Sequence, residues 1–362
     1  MIYDGQCGFC RLWIERWKKI TGDAVAYAPF QDVSDQFPTI PEDQFKSSVQ
    51  FVETDGTIYS GAAAVFKSLS YARRRKWMFW CYKNIPGASF VTESIYQFIA
   101  NHRPLFSKLT TLFWGKTVEP PTYLFSSWLF IKALAIIYGI AFFSLWIQIR
   151  GLIGTDGILP IESFLKAIKG HVGSSAYFWF PTLAWLSPTN FFLDFLSMGG
   201  VILSIILFLG FTPTIALWLL WVFYLSLTVA GSEFMQFQWD ALLLETGFLS
   251  IFLFHSQIRS RWKQFVMPSH LIHFLLRWLL FRLVFSSGVV KLISGDPAWH
   301  SFTALNYHYE TQPLPTPIAW YVHQLPEWFD KVSCGFMFAS ELFVPFLIFF
   351  PRRFKFFAFA LL

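Results

Sequence analysis

Two cysteines near the amino end are the residues best placed to do chemistry. They lie in Tyr3-Asp4-Gly5-Gln6-Cys7-Gly8-Phe9-Cys10. Asp4-Gly5 turns the chain, and Cys7 to Ile20 suits a helix stopped by Thr21-Gly22. The spacing puts both sulfurs on one face of that helix at its N-terminus. Free backbone N–H groups and the helix dipole there favour a thiolate on Cys7. Cys10 is then placed to resolve a mixed disulfide, the chemistry of thiol–disulfide exchange. The same pair could instead be half of a zinc site. No second Cys or His pair has ligand spacing, so no metal is expected. A motif that has lost its exchange activity remains a further alternative. Cys81 and Cys334 have no partner in sequence and read as small buried or lipid-facing apolar residues.

A second set of reactive residues lies in apolar surroundings. Asp240 and Glu245 fall in Gln238-Trp239-Asp240-Ala241-Leu242-Leu243-Leu244-Glu245, and Arg277, Arg282 and Lys291 share a later apolar run. Glu341 lies in the last complete one. Charges inside a bilayer are costly and rarely idle. Depth along antiparallel helices, at ~1.5 Å per residue, pairs Glu245 with Arg282 near the centre and Asp240 with Lys291 toward the outer end. Such pairs either hold helices together or serve chemistry, with Lys291 as a base of lowered pKa acting on a lipid-soluble substrate such as a quinone. Lys132 is expected to snorkel to the membrane edge. A third block runs from Asp296-Pro297-Ala298-Trp299 to Asn306-Tyr307-His308-Tyr309-Glu310-Thr311-Gln312, stiffened by Pro313, Pro315 and Pro317. Its aromatic groups with His308 and Glu310 could line a pocket, or anchor a rigid interfacial loop. His300 and His308 are not spaced as metal ligands.

The elements that must position these groups follow from composition. The chain of 362 residues is 55% hydrophobic, 21% aromatic and only 14% charged, with mean hydropathy +0.46. A soluble domain is usually ~25% charged. These values exclude a disordered chain, a disulfide scaffold and an ordinary soluble enzyme, and point to the lipid bilayer. The net charge of +6 is then read as basic residues at the cytosolic face rather than as nucleic-acid binding. Residues 1–120 hold 14 Lys/Arg and 11 Asp/Glu, and the remaining, twice longer part holds the same numbers. The expected organisation is a soluble domain over residues 1–109, a linker over 110–122 carrying Gly115, Pro120 and Pro121, and a membrane domain over 123–362.

The soluble part reads as β-α-β-β-β-α. Its strands are placed at Met1–Tyr3, Val25–Ala28, Val49–Glu53 and Thr57–Ser60, and Asp55-Gly56 makes a hairpin between the last two. Six spans are expected near 125–148, 191–210, 212–230, 238–255, 270–293 and 332–350, since ~20 residues cross the hydrocarbon. Tyr177–Leu186 is too short to span and suits the interface. A last apolar run from Phe354 is cut off at Leu362, as expected of a fragment. Met1–Cys10 lacks the pattern of a cleavable signal peptide. Lys108, Lys116, Arg259, Arg261, Lys263, Arg352, Arg353 and Lys355 fall on one side if the N-terminus is cytosolic, as the positive-inside rule requires.

The motif Tyr-Asp-Gly-x-Cys-x-x-Cys resembles the signature of the DCC family of thiol-disulfide oxidoreductases, as do Asp55-Gly56 and Tyr59-Ser60-Gly61-Ala62. The resemblance covers about residues 1–105. It implies a small α/β thioredoxin-like domain, with Asp4, Cys7 and Cys10 in the reactive motif. Thioredoxins carry a cis-proline before a sheet strand, where Ser47-Ser48 stand here before Val49. From about residue 125 the chain is similar to the lipase maturation factor family. The shared residues are Arg150-Gly151-Leu152-Ile153-Gly154, Gly157-Ile158-Leu159-Pro160, Gln238-Trp239-Asp240, Leu243-Leu244-Glu245-Thr246-Gly247 and the Asp296–Pro315 block. This likeness implies an all-α polytopic transmembrane helix bundle in the endoplasmic reticulum that helps secreted lipases mature, without a cofactor. A distant likeness to the vitamin K-dependent carboxylase group would make Lys291 a base. The family's large C-terminal soluble region is expected to lie beyond a chain that is cut inside its last apolar run. The fused architecture looks bacterial, which would place the chain in a plasma membrane. The expected partners are the bilayer, an exported client such as a lipase, and a redox partner of the two cysteines. An enzyme acting on a lipid-soluble substrate and a transporter are the competing readings.

Overall fold

The computed structural model describes residues 1–72, 75–115, 117–118, 120, 122–253, 269–312 and 316–362. Lys116, Pro121, Arg259, Arg261, Lys263, Pro313 and Pro315, all named above, lie outside the described residues. The chain divides into two compact units, Met1–Pro121 with Gly288–Leu362, and Thr122–Ser287.

The first unit begins with a four-stranded mixed sheet of order β2-β1-β3-β4. Its strands are β1 (Ile2–Tyr3), β2 (Ala28–Pro29), β3 (Gln50–Val52) and β4 (Ile58–Ser60). β1 runs parallel to β2 and antiparallel to β3, and β3–β4 is an antiparallel hairpin. The hairpin closes as Asp55-Gly56 dictates. Thr57 N–H donates to Asp55 Oδ1 at 2.8 Å, and Gly56 takes φ +88°, the left-handed value that favours glycine. β2 starts three residues later than expected because a 3-10 turn at Gly22–Ala24 consumes the chain first, leaving Val25 as a core side chain.

Helices α1 (Gly8–Thr21), α2 (Phe30–Val33), α3 (Glu42–Ser47) and α4 (Gly61–Ser70) are interleaved with the strands, and α5 (Lys76–Asn84), α6 (Ala88–Asn101) and α7 (Arg103–Trp114) follow. Ile14, Val25, Val49, Phe51 and Ala64 form one apolar core. Phe30 stacks on Phe45 at 5.6 Å in a second one, with Ile2 and Ile40. Glu93 of α6 accepts from the N–H groups of Ala62 (3.0 Å) and Ala63 (2.9 Å), capping α4 from outside. α7 occupies the first residues of the expected linker, through Trp114.

The second unit is helical. It contains α8 (Leu124–Ile153), α9 (Ile161–Val172), α10 (Ala176–Trp179), α11 (Asn190–Leu209), α12 (Pro213–Gly231), α13 (Gln238–Ile251) and the start of α14 (His270–Ile293). α8, α11 and α12 pack around Tyr138, Phe142, Leu193, Leu196, Leu217, Leu220 and Tyr224. The remaining helices, α15 (Pro297–His300), α16 (Ala304–Thr311), α17 (Pro317–His323), α18 (Glu327–Leu342) and α19 (Arg352–Leu361), belong to the first unit.

Among the described residues four helical segments are long and apolar enough to cross a bilayer: Leu124–Ile153, Asn190–Leu209, Pro213–Phe234 and Glu327–Phe349. Two of the six expected spans do not qualify. α13 is described for 14 residues only, ~21 Å at the helical rise, short of the ~30 Å hydrocarbon. α14 has 24 residues, ~36 Å, and carries Arg277, Arg282 and Lys291. The last span starts earlier than expected, at Glu327, and its end is 3-10 because Pro345 has no N–H for an α-helical bond.

Candidate dithiol site and the buried charges

Cys7 is the N-cap of α1. Its Sγ accepts the Cys10 N–H at 3.2 Å, one of the bonds that a helix start leaves unpaired. The Cys10 thiol also hydrogen-bonds to the Cys7 sulfur, and this bond is the main cause holding the Cys7 pKa down to about 6. The backbone bond and the Arg103 charge act in the same direction, against burial and Asp4. Cys10 is pushed the other way by its bond to Cys7 and by burial. Both thiols are free and half-buried. The two thiols are thus driven apart, Cys7 toward a thiolate and Cys10 toward a retained thiol, the division of labour that exchange needs.

Asp4 shapes the loop. Its Oδ1 accepts from Gln6 N–H (3.0 Å) and Gln31 Nε2 (2.9 Å), and Gln31 Oε1 accepts from Gly5 N–H at 3.1 Å. A Cβ on Gly5 would lie 2.7 Å from Pro29 Cβ, so only glycine lets the loop close against β2. Asp4 thus positions the motif while its charge opposes the Cys7 thiolate.

Arg103 and Tyr96 complete the surroundings, and no local pattern announces either. Arg103 Nη2 donates to Ser47 O at 2.6 Å, beside the Ser47-Ser48 turn. Tyr96 Oη accepts from Val49 N–H at 2.9 Å, and burial raises its pKa to about 12. Ser48, where thioredoxins carry a proline, bonds Ser60 Oγ at 2.9 Å and receives Gln50 Nε2 at 2.9 Å.

In the helical units the charges are consumed by partners. Arg282 donates to Glu245 as expected, in a pair whose side chains are both about half-exposed. The second expected pair does not form as drawn. Buried Asp240 sits at the third position of α13, where it accepts the Tyr224 hydroxyl at 2.6 Å and the Phe237 N–H at 3.4 Å. Lys291 instead donates to both carboxylate oxygens of Glu341, at 2.6 and 2.7 Å, and lies over the Trp299 ring at 5.6 Å. Counting residues along a helix predicts the depth of a group but says nothing of the direction it faces, which decides the partner. Lys132 donates to the Phe208 carbonyl and lies over the Trp128 ring at 5.7 Å, and Arg150 bonds Asp194.

Around Asp240 the bundle is tightly built. Tyr224 meets Tyr138 edge-on at 5.9 Å and Phe142 at 5.4 Å. A Cβ on Gly247 would fall 1.9 Å from Tyr138 Oη, so α13 approaches α8 only where glycine stands. Of the third block, His308 lines an open groove of about 570 Å³ with Asp296, Trp299, Tyr307 and Thr311. Its Nδ1 lies 2.9 Å from Gln312 Nε2, and Glu310 meets His323 Nε2 at 2.9 Å.

The model of the lipase maturation factor transmembrane domain matches residues 125–362, and that of the DCC1-like thiol-disulfide oxidoreductase matches residues 1–109. Lipase maturation factor 2 of Xenopus laevis is 45% identical over 248 residues, covering 64% of this chain and 34% of the relative. Human lipase maturation factor 2 is 42% identical over 240 residues, 62% of this chain and 34% of its own. Mouse lipase maturation factor 1 is 38% identical over 233 residues, 62% and 40%. No solved structure matches. The chain spans roughly a third of the length of the first two of these relatives. With four segments fit to cross a bilayer and two thirds of its length matched by one family, the chain is an integral membrane protein that belongs to the lipase maturation factor family.

Proposed function

We propose that the protein is a membrane factor for the maturation of exported clients, a secreted lipase among them, with a dithiol domain that exchanges disulfides on the cytosolic side. The observation that carries the redox half is the Cys7 sulfur at the N-cap of α1, bonded by Cys10 and lowered toward a thiolate. The Cys7 thiolate attacks one sulfur of a partner disulfide and expels the other as a thiolate. Cys10, on losing its proton, attacks Cys7 and releases the second partner thiolate. The partner gains two electrons and the protein keeps a Cys7–Cys10 disulfide, which a dithiol donor returns to the reduced form. Run backwards, the same steps oxidise a partner dithiol.

The maturation half is supported by the match over residues 125–362 and by the open groove of Trp299, Tyr307 and His308, which offers aromatic and polar contacts. The bias of basic residues along the sequence supports a cytosolic N-terminus. The groove then faces the bacterial periplasm or, in a eukaryote, the lumen of the endoplasmic reticulum. Secretion of an active lipase by cells carrying the full chain tests the reading. Trp299→Ala with Tyr307→Ala lowers the active yield several-fold at unchanged protein level, and an unchanged yield overturns the maturation half. Trapping of a partner by Cys10→Ser, lost in Cys7→Ser with Cys10→Ser, tests the redox half separately.

A further inference from the structure

The N-terminal domain carries a surface that its dithiol does not use. α5 sets Lys76, Phe79, Trp80 and Lys83 at i, i+3, i+4 and i+7, so the four share one helix face. With Tyr71 and Asn84 they line an open groove of about 690 Å³. Its lining Trp80 is 61% exposed, and on the same helix Trp77 is 63% and on α6 Phe90 77% exposed, more apolar surface than a domain leaves to water without cause.

The nearby carboxylates are occupied. Glu53 takes Lys67 at 2.9 Å and the Tyr71 hydroxyl at 2.7 Å, and Glu93 takes the backbone of α4 and the Tyr82 hydroxyl. Among the described residues neither Lys76 nor Lys83 has a carboxylate partner. The groove is therefore cationic, amphipathic and open. Exposed tryptophan beside lysine is the composition of segments that rest at headgroup depth, and anionic headgroups supply the opposite charge.

The chain also ties this domain to a segment fit to cross a bilayer. Phe113 of α7 packs on Phe354 of α19 at 5.3 Å, and α19 begins directly after the span Glu327–Phe349. We propose that the α5 groove binds the phosphate headgroup of an anionic phospholipid and so docks the dithiol domain on the membrane its own chain crosses. The proposal does not depend on the redox reading.

Hydrogen–deuterium exchange over residues 76–101 tests it, on the full chain in nanodiscs of phosphatidylcholine with and without phosphatidylglycerol. Two lysines at an anionic surface slow exchange about thirty-fold in the phosphatidylglycerol discs. Lys76→Glu with Lys83→Glu removes that difference while Cys7 alkylation, a check on folding, stays as in the parent. Equal exchange in the two lipids, or a difference that survives the double variant, overturns the proposal. Protection in phosphatidylcholine discs on adding soluble glycerol phosphate overturns the membrane as the source of the ligand.

Discussion

The dithiol loop and the Asp240 pocket handle a polar group at a helix start in opposite ways. At α1 the cap is a sulfur that receives two hydrogen bonds and stays half-exposed, with the Arg103 charge helping to lower its pKa. At α13 the group is the Asp240 carboxylate at the third position, only 3% exposed, which accepts the hydroxyl of Tyr224, a ring packed against Tyr138 and Phe142. The first arrangement leaves a charge reachable by a second molecule. The second uses a charge to fix the approach of helices in a place where an unpaired one would be costly. Reactivity and rigidity are thus kept in separate parts of the chain.

Substitutions can break or sharpen this contrast. The largest effect is expected at the sulfur. Cys7→Ser abolishes rapid alkylation at neutral pH, whereas Cys10→Ser retains it; measured iodoacetamide rates decide, and fast labelling of Cys7→Ser would end the assignment. Gly247→Val comes next, because its Cβ already collides with Tyr138 Oη and the α8–α13 approach is lost. Fluorescence-detected size exclusion should show little monodisperse protein. Tyr224→Phe strips buried Asp240 of its hydroxyl donor and costs about 1–3 kcal/mol in thermal unfolding in detergent. An equal loss from a half-exposed site such as Arg282→Gln would erase the distinction drawn here.

The smallest effect tunes the thiolate. Arg103→Met raises the midpoint of Cys7 alkylation above about 6, toward the ~8.5 of free cysteine, without abolishing it. The stability of the reduced chain follows the same group. Cys7 titrates lower when folded than when unfolded, so its contribution is complete above the unfolded value of ~8.5 and is lost as pH falls through about 6. Melting temperature against pH for the parent and Cys7→Ser isolates that window.

Much of this was legible along the chain because it is local. Cys-x-x-Cys at a helix start, Asp55-Gly56 in a hairpin and the long apolar runs of α8, α11 and α12 each depend on neighbours in sequence. Glu245–Arg282 was legible too, since both groups lie mid-helix. Arg103 and Tyr96 were not, because they reach the site from helices far along the chain and no spacing rule links them to Cys7. Lys291 and Asp240 mark the limit of depth as a guide. Height along a helix is fixed by counting residues, while the azimuth that gives Glu341 to one and Tyr224 to the other is set by packing.

The sulfur cap of α1 has a consequence for electron flow. Closing a Cys7–Cys10 bridge erases the negative acceptor on which the first turn relies, so oxidation loosens the very helix that presents the pair. Reduction restores it. On the proposed exchange chemistry the reduced pair is then the better-capped form, and the couple is expected toward the oxidising end of the scale.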